Sequence, residues 1–131
     1  MRKLADSDFL VGLFSEQDAH HGRAVDILKN EMESGSSLFV TNLVLQETAT
    51  VLAHRVGMDA VRLFYEKLPK LQWKIMRVDE KTEDLSWSIL IKQTKKGCSF
   101  VDCANLAVIE LNKFTGILSF DKFDPKDIRL D

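Results

Sequence analysis

The chain has 131 residues, 45% hydrophobic and 29% charged, with a formal net charge of −2. That length and balance fit one compact globular domain with a core of its own and exclude a disordered or low-complexity chain. No apolar run approaches the roughly 18 residues of a membrane helix, and no overall basic excess marks a nucleic-acid binder.

The N-terminal residues Met1 to Ala5 run into Asp6 and Asp8 before a signal-peptide core can form. A cytoplasmic protein with no membrane association is expected. Cys98 and Cys103 form no CxxC pair and have no neighbouring histidine, so neither a disulfide framework nor a zinc site is expected.

In chain order, residues 2–6 predict a short strand, 8–15 a short helix and 19–33 a longer one. Asp18 is placed to cap the second helix, and Ser34-Gly35-Ser36 ends it. Residues 37–41 predict a buried strand. Helices follow over 42–56, ending before Gly57, and over 58–68, ending before Pro69. A strand is expected over 73–78 and a helix over 80–94, with Lys95-Lys96-Gly97 as its basic stop. Residues 100–113 predict a helix, 116–119 a strand, and 127–130 an edge strand. Strands separated by helices imply an α/β protein, a three-layer α/β/α sandwich around a mostly parallel sheet. Sites in such folds form beyond the carboxyl ends of the strands, where Asp6, Asn42 and Asp121 fall.

Four carboxylates stand where packing has little use for them. Asp6 follows the first strand. Glu47 shares a helical face with Leu43, Val44 and Val51, Asp102 opens a helix that is apolar nearly all round, and Asp121 follows Gly116–Phe120. Buried carboxylates are costly unless cations meet them, so convergence of the four would create a site for a divalent metal. Structural roles compete at each position. Asp6 or Asp8 could cap the first helix, and Glu47 could meet a Lys or Arg. Asp102 fits the capping-box spacing with Ser99, and Asp124, before Pro125, is an ordinary turn residue. Asn105, one turn beyond Asp102, could hold a water in the site, and Ser119 could contact water or phosphate.

Setting the four carboxylates aside turns the charge from −2 to +2, which is compatible with a phosphodiester substrate. Lysines gather at 67, 70 and 74 and at 92, 95 and 96. Each group reads equally as a solvated surface. His20, His21 and His54 are expected at the surface or in caps, since nothing pairs them with a nucleophile. No phosphate-binding glycine loop is present.

The ordered set Asp6-Ser7-Asp8, Thr41…Glu47, Ser99-Phe100-Val101-Asp102 and Ser119-Phe120-Asp121-Lys122 resembles the PIN-domain family, in particular the small ribonuclease toxins of toxin–antitoxin pairs, the VapC type. Asp18-Ala19-His20-His21-Gly22-Arg23-Ala24 is similar to the family's entry to its second helix. The resemblance spans nearly the whole chain. It implies an α/β/α sandwich and metal-dependent hydrolysis of RNA, with Asp6, Glu47, Asp102 and Asp121 as ligands of Mg²⁺ or Mn²⁺. Asp8, Ser119, Asn105 and Asp124 are supporting candidates. It also implies an RNA substrate, a cognate antitoxin protein and a homodimer. Asp8 stands where the family usually has Asn. Asp121-Lys122-Phe123-Asp124 replaces the family's Asp-Lys-Asp-Phe, so either aspartate could serve the site.

All the candidate ligands are hard oxygens, suited to Mg²⁺ or Mn²⁺ rather than zinc or copper. Such an ion would supply polarisation of a phosphate oxygen and an activated water for in-line attack. Lys95 or Lys96 could bind the RNA backbone. Two other functions are compatible with the pattern: a non-catalytic RNA- or protein-binding module of the same fold, and a phosphatase or phosphotransfer protein with Asp6 as nucleophile. The second would need a positioned lysine. Exposed apolar residues over 42–56 and 58–68 are the expected interfaces.

Overall fold

The apolar runs form the centre of a five-stranded, all-parallel sheet in a computed structural model that describes residues 1–131. The strands are β1 (Arg2–Ala5), β2 (Ser37–Thr41), β3 (Lys74–Met76), β4 (Gly116–Leu118) and β5 (Arg129–Leu130), in the order β3-β2-β1-β4-β5. Six helices surround them: α1 (Ser7–Phe14), α2 (His21–Glu33), α3 (Asn42–Arg55), α4 (Met58–Lys67), α5 (Glu80–Ile91) and α6 (Phe100–Asn112).

Alternation along the strands sorts side chains to two faces. Ala5, Leu38, Val40 and Leu118 face Phe9 and Leu10 of α1, Ala24 and Ile27 of α2, and Val44 of α3. Leu4, Phe39 and Ile117 face Val108 of α6 and Phe114 on the other side. Both faces are covered, which is the expected α/β/α sandwich. A smaller cluster of Val11, Leu52 and Phe64 seats α4 against α1 and α3.

β1 lies between β2 and β4, so the chain leaves it in one direction to build β2 and β3 and returns on its other side to build β4 and β5. This reversal opens a crevice beyond the carboxyl ends of β1 and β4. The ladder fixes its walls: the Asp6 N–H bonds to Leu118 O at 3.0 Å, and the Ser119 N–H to Leu130 O at 3.2 Å.

Several boundaries differ from expectation. Asp18 does not cap α2; its Oδ1 accepts from the His20 N–H at 2.8 Å, and the helix begins at His21. α5 ends at Ile91, because the N–H groups of Lys92 and Gln93 bond three residues back and tighten the last turn, leaving Lys95-Lys96-Gly97 in the loop beyond. Pro69 lies in a 3₁₀ turn over Leu68–Leu71. Gly57 joins α3 to α4 at φ 129, a conformation that side chains disfavour. Asn42 leaves the crevice: its Oδ1 accepts from the Val78 N–H at 2.9 Å and ties the end of β2 to the exit of β3. No helix is long and apolar enough to cross a membrane.

Candidate active site

The crevice is an open cleft of about 390 Å³, lined among others by Asp6, Asp8, Glu47, Asp102 and Asp121. Asp6 occupies the N-cap position of α1 but makes no capping bond. Its Oδ1 instead accepts from Asn105 Nδ2 at 2.9 Å and its Oδ2 from Ser119 Oγ at 3.3 Å. A side chain offered a helix terminus yet held elsewhere by two buried partners is held for another purpose.

Asp102 does both things the sequence allows. Its N–H donates to Ser99 Oγ at 3.0 Å and its Oδ2 accepts from the Ser99 N–H at 2.9 Å, completing the capping box. Its Oδ1 remains for the cleft, and one carboxylate oxygen from each of Asp6, Asp102 and Asp121 lies within 4.8 Å of the others. Glu47 reaches the same cleft from α3, where Ser7 Oγ donates to its Oε1 at 3.0 Å. No lysine or arginine pairs with it: the three ion pairs of the molecule are Lys3–Glu31, Arg62–Asp59 and Arg129–Asp131.

The supporting residues sort differently from expectation. Asn105 and Ser119 are fully buried behind Asp6 and hold its carboxylate, so neither is placed to meet water or phosphate in the cleft. Ser119 also accepts from the Asp121 N–H at 3.0 Å, and Asp121 Oδ1 accepts from the Phe123 N–H at 2.9 Å, which shapes the loop after β4. Asp8 Oδ2 accepts from the Phe120 N–H at 3.0 Å, while its Oδ1 is buried without a partner. Asp124 is no surface turn residue. It is 2% exposed, beneath the cleft, and neither carboxylate oxygen makes a hydrogen bond. Between Asp121 and Asp124, it is Asp121 that joins the cluster.

Burial and mutual repulsion set the electrostatics. Burial pushes the Asp6 carboxyl well above its usual range, with Asp8, Asp124 and Asp102 adding to the effect. Burial raises Asp8 to about 6 despite the Phe120 N–H. Asp124 also rises to about 6 through burial, with Asp102, Asp121 and Asp8 adding to it and the nearby Ser119 hydroxyl easing it. Glu47 and Asp102 are raised by burial and then by neighbouring acids, against the hydrogen bonds from Ser7 and Ser99. Hard oxygen donors, proton affinities raised by burial and then by like charge, and orphaned carboxylate oxygens together fit a hard divalent cation.

Two residues of the cleft were not singled out by sequence. Arg55 lies on the α3 face of Glu47 and Val51, a helical spacing that was available to find it. It makes no ion pair. His20, expected as a surface or capping residue, stacks on Phe120 at the cleft rim with ring centroids 4.1 Å apart. Lys95 and Lys96 border a neighbouring hollow that shares Gly97 and Asp121 with the acids, whereas Lys70 and Lys74 line a separate one against Leu28 and Trp73. No lysine lines the acidic cleft, so the positioned lysine that an aspartate nucleophile would need is not found there.

The parallel α/β sandwich carries at its switch point an acidic centre with no cationic partner, in which three carboxylates could hold a metal ion. The PIN-domain model matches residues 3–123, and the chain belongs to the PIN-domain family. It is similar to a VapC ribonuclease of Archaeoglobus fulgidus, 28% identical over 123 residues covering 92% of this chain and 78% of that protein. It is also similar in structure to Mycobacterium tuberculosis VapC20, a sarcin–ricin loop cleaving toxin. There the TM-score is 0.79 at 26% identity, over 91% of this chain and 89% of that one. Rickettsia felis VapBC2, bound to a promoter DNA fragment, shares the fold with a TM-score of 0.57 at 9% identity, over 92% of this chain and 100% of that one.

Proposed function

We propose that this protein is an endoribonuclease that hydrolyses RNA phosphodiester bonds at the acidic cleft with Mg²⁺ or Mn²⁺, and that it acts as the toxin of a toxin–antitoxin pair. The observation that carries this is the convergence of carboxylates without a cationic partner at the switch point of a PIN-domain fold.

Asp6, Glu47, Asp102 and Asp121 are the proposed metal ligands. A divalent ion held there would supply neutralisation of phosphate charge and activation of a water for attack. The chain's own groups do the positioning. Asn105 and Ser119 fix Asp6 from behind, Ser7 turns Glu47 into the cleft, and the Ser99 N–H holds one Asp102 oxygen so that the other faces inward. Arg55, the cleft's unpaired guanidinium, is suited to grip a phosphate of the RNA through paired N–H donors. Lys95 and Lys96 extend that grip along the backbone, which makes binding salt-sensitive.

A cognate antitoxin and a homodimer belong to the same proposal. Met58 and Tyr65 are exposed on one face of α4 and Val56 is exposed just before it, and this apolar surface is the one we assign to protein partners. The test is cleavage of a labelled RNA pool that includes a sarcin–ricin loop oligonucleotide, with Mg²⁺ or Mn²⁺ and with EDTA. Metal-dependent cleavage is expected. An untouched pool in both metals overturns the ribonuclease assignment.

A further inference from the structure

Four rings run in stacked sequence from half-buried Trp73, through the interior, to the rim of the cleft. Phe9, fully buried on α1, stacks on Trp73 at 6.5 Å and 29° and on Phe120 at 6.2 Å and 27°. Phe120 in turn carries His20 at 4.1 Å and 7°, nearly parallel. His20 is exposed and its imidazole lies on Phe120, so the ring is both stacked and accessible to solvent. Both residues line the acidic cleft together with Asp6, Asp102 and Asp121.

The platform is braced from two sides. The Phe120 backbone is held by Asp8, whose Oδ2 accepts its N–H at 3.0 Å, and the His20 N–H is held by Asp18 Oδ1 at 2.8 Å. A surface histidine left to itself samples several rotamers. This one lies flat on Phe120 at the edge of the acids. Elsewhere the cleft is polar, with Val11 and Val51 as its other hydrophobic lining residues. The Phe120–His20 stack is therefore its one aromatic surface.

We propose that His20 is a substrate-binding residue whose exposed imidazole stacks an unpaired nucleobase of the RNA next to the bond being cut, continuing the aromatic column by one ring. This rests on the ribonuclease assignment and deepens it by naming the residue that takes a base beside the bond being cut. Stacked duplex bases cannot reach such a platform, whereas splayed bases of loops and single strands stack on aromatic and imidazole rings. The imidazole supplies area rather than acid–base chemistry in this role, so a phenyl ring substitutes for it.

The experiment uses short single-stranded RNAs carrying 2-aminopurine at successive positions, whose fluorescence falls on stacking. They are bound to full-length protein carrying Asp102→Asn, alone or with His20→Ala or His20→Phe. Quenching is expected with His20 and with His20→Phe and is lost with His20→Ala. In the cleavage-competent background, His20→Ala raises KM about tenfold with kcat little changed, and His20→Phe restores KM. Equal quenching and equal KM in all three, or no quenching with His20 present, overturns the proposal. Cleavage of RNA by the wild-type chain without any dependence on residue 20 refutes the platform alone. Quenching that depends on residue 20 without cleavage refutes the ribonuclease assignment alone.

Discussion

Asp124→Asn should stabilise the metal-free protein, and the size of the gain follows from the burial of the side chain. Asp124 is 2% exposed, has no hydrogen bond to either carboxylate oxygen, and is raised from 3.8 to about 6. At 1.36 kcal/mol per pH unit, keeping this group charged costs the folded state about 3 kcal/mol above pH 6. Below pH 3.8 the carboxyl is protonated in folded and unfolded chains alike, and the cost vanishes. It therefore grows as pH rises from about 4 to 6 and is complete beyond. An asparagine stays neutral and offers N–H donors to the acids around it, at about 1 kcal/mol for its own imperfectly paired burial. The net gain at pH 7.5 is about 2 kcal/mol, or roughly 6–10 °C in Tm for a domain of this size. Urea and thermal unfolding in EDTA at pH 4 and about 7.5 measure it. A variant no more stable than wild type at the higher pH, or a gain that is the same at both, would refute the electrostatic account of this buried acid.

Other consequences test the layers around the acids. Asn105→Ala removes the donor on Asp6 Oδ1 and leaves a void, so unfolding experiments should show a loss of about 1–3 kcal/mol and kinetics a fall in cleavage of about 10- to 100-fold. Glu31 tests the far end of β1. Burial works to raise its pKa, but the hydrogen bonds from Lys3 at 2.6 Å and Ser36 at 2.6 Å prevail and hold it below the ordinary glutamate value of 4.5. Its contribution is thus present above pH 4.5 and is lost as pH falls through its lower folded value. Glu31→Gln should cost about 1–3 kcal/mol at pH 7 in urea unfolding, and the difference should shrink in acid. Arg55→Ala should weaken RNA binding uniformly across sequences and reduce the slope of log affinity against log salt by about 1 in a filter-binding series.

How far the sequence was legible depends on the range of the contact involved. The parallel sandwich followed from apolar runs separated by helical periodicity, and Asp6 and Asp121 stood out because Asp6 follows the first strand and Asp121 the apolar run 116–120. The sheet order is set by which face each crossover takes, and no local pattern encodes that. At Asp102 the sequence offered a capping box and a place among the acids; one carboxylate oxygen completes the box, and Asp102 also brings an oxygen near those of Asp6 and Asp121. Asp124 was read as a turn residue from the proline after it. The segment instead curls beneath the cleft, where Arg129 Nη1 donates to the Asp124 carbonyl at 3.2 Å. Asn105 and Ser119 were placed on the right side of the site but one layer too far forward. Their hydrogen bonds to Asp6 join opposite ends of the chain. His20 could not be found, since the Phe120 that defines it lies a chain's length away. Arg55 could have been, as the next turn but one along the face of Glu47.

The central claim is that these carboxylates cut RNA by holding a divalent ion, and the dependence of cleavage rate on Mn²⁺ tests it most directly. It is measured on wild-type protein and on Asp102→Asn, a variant in which Asn can still accept the Ser99 N–H and keep the capping box. The account predicts a rate that rises from zero in EDTA to saturation in the wild type. Asp102→Asn should be folded by circular dichroism and show no measurable cleavage at any Mn²⁺ concentration. Cleavage that persists in EDTA, or a wild-type rate in Asp102→Asn, would contradict it.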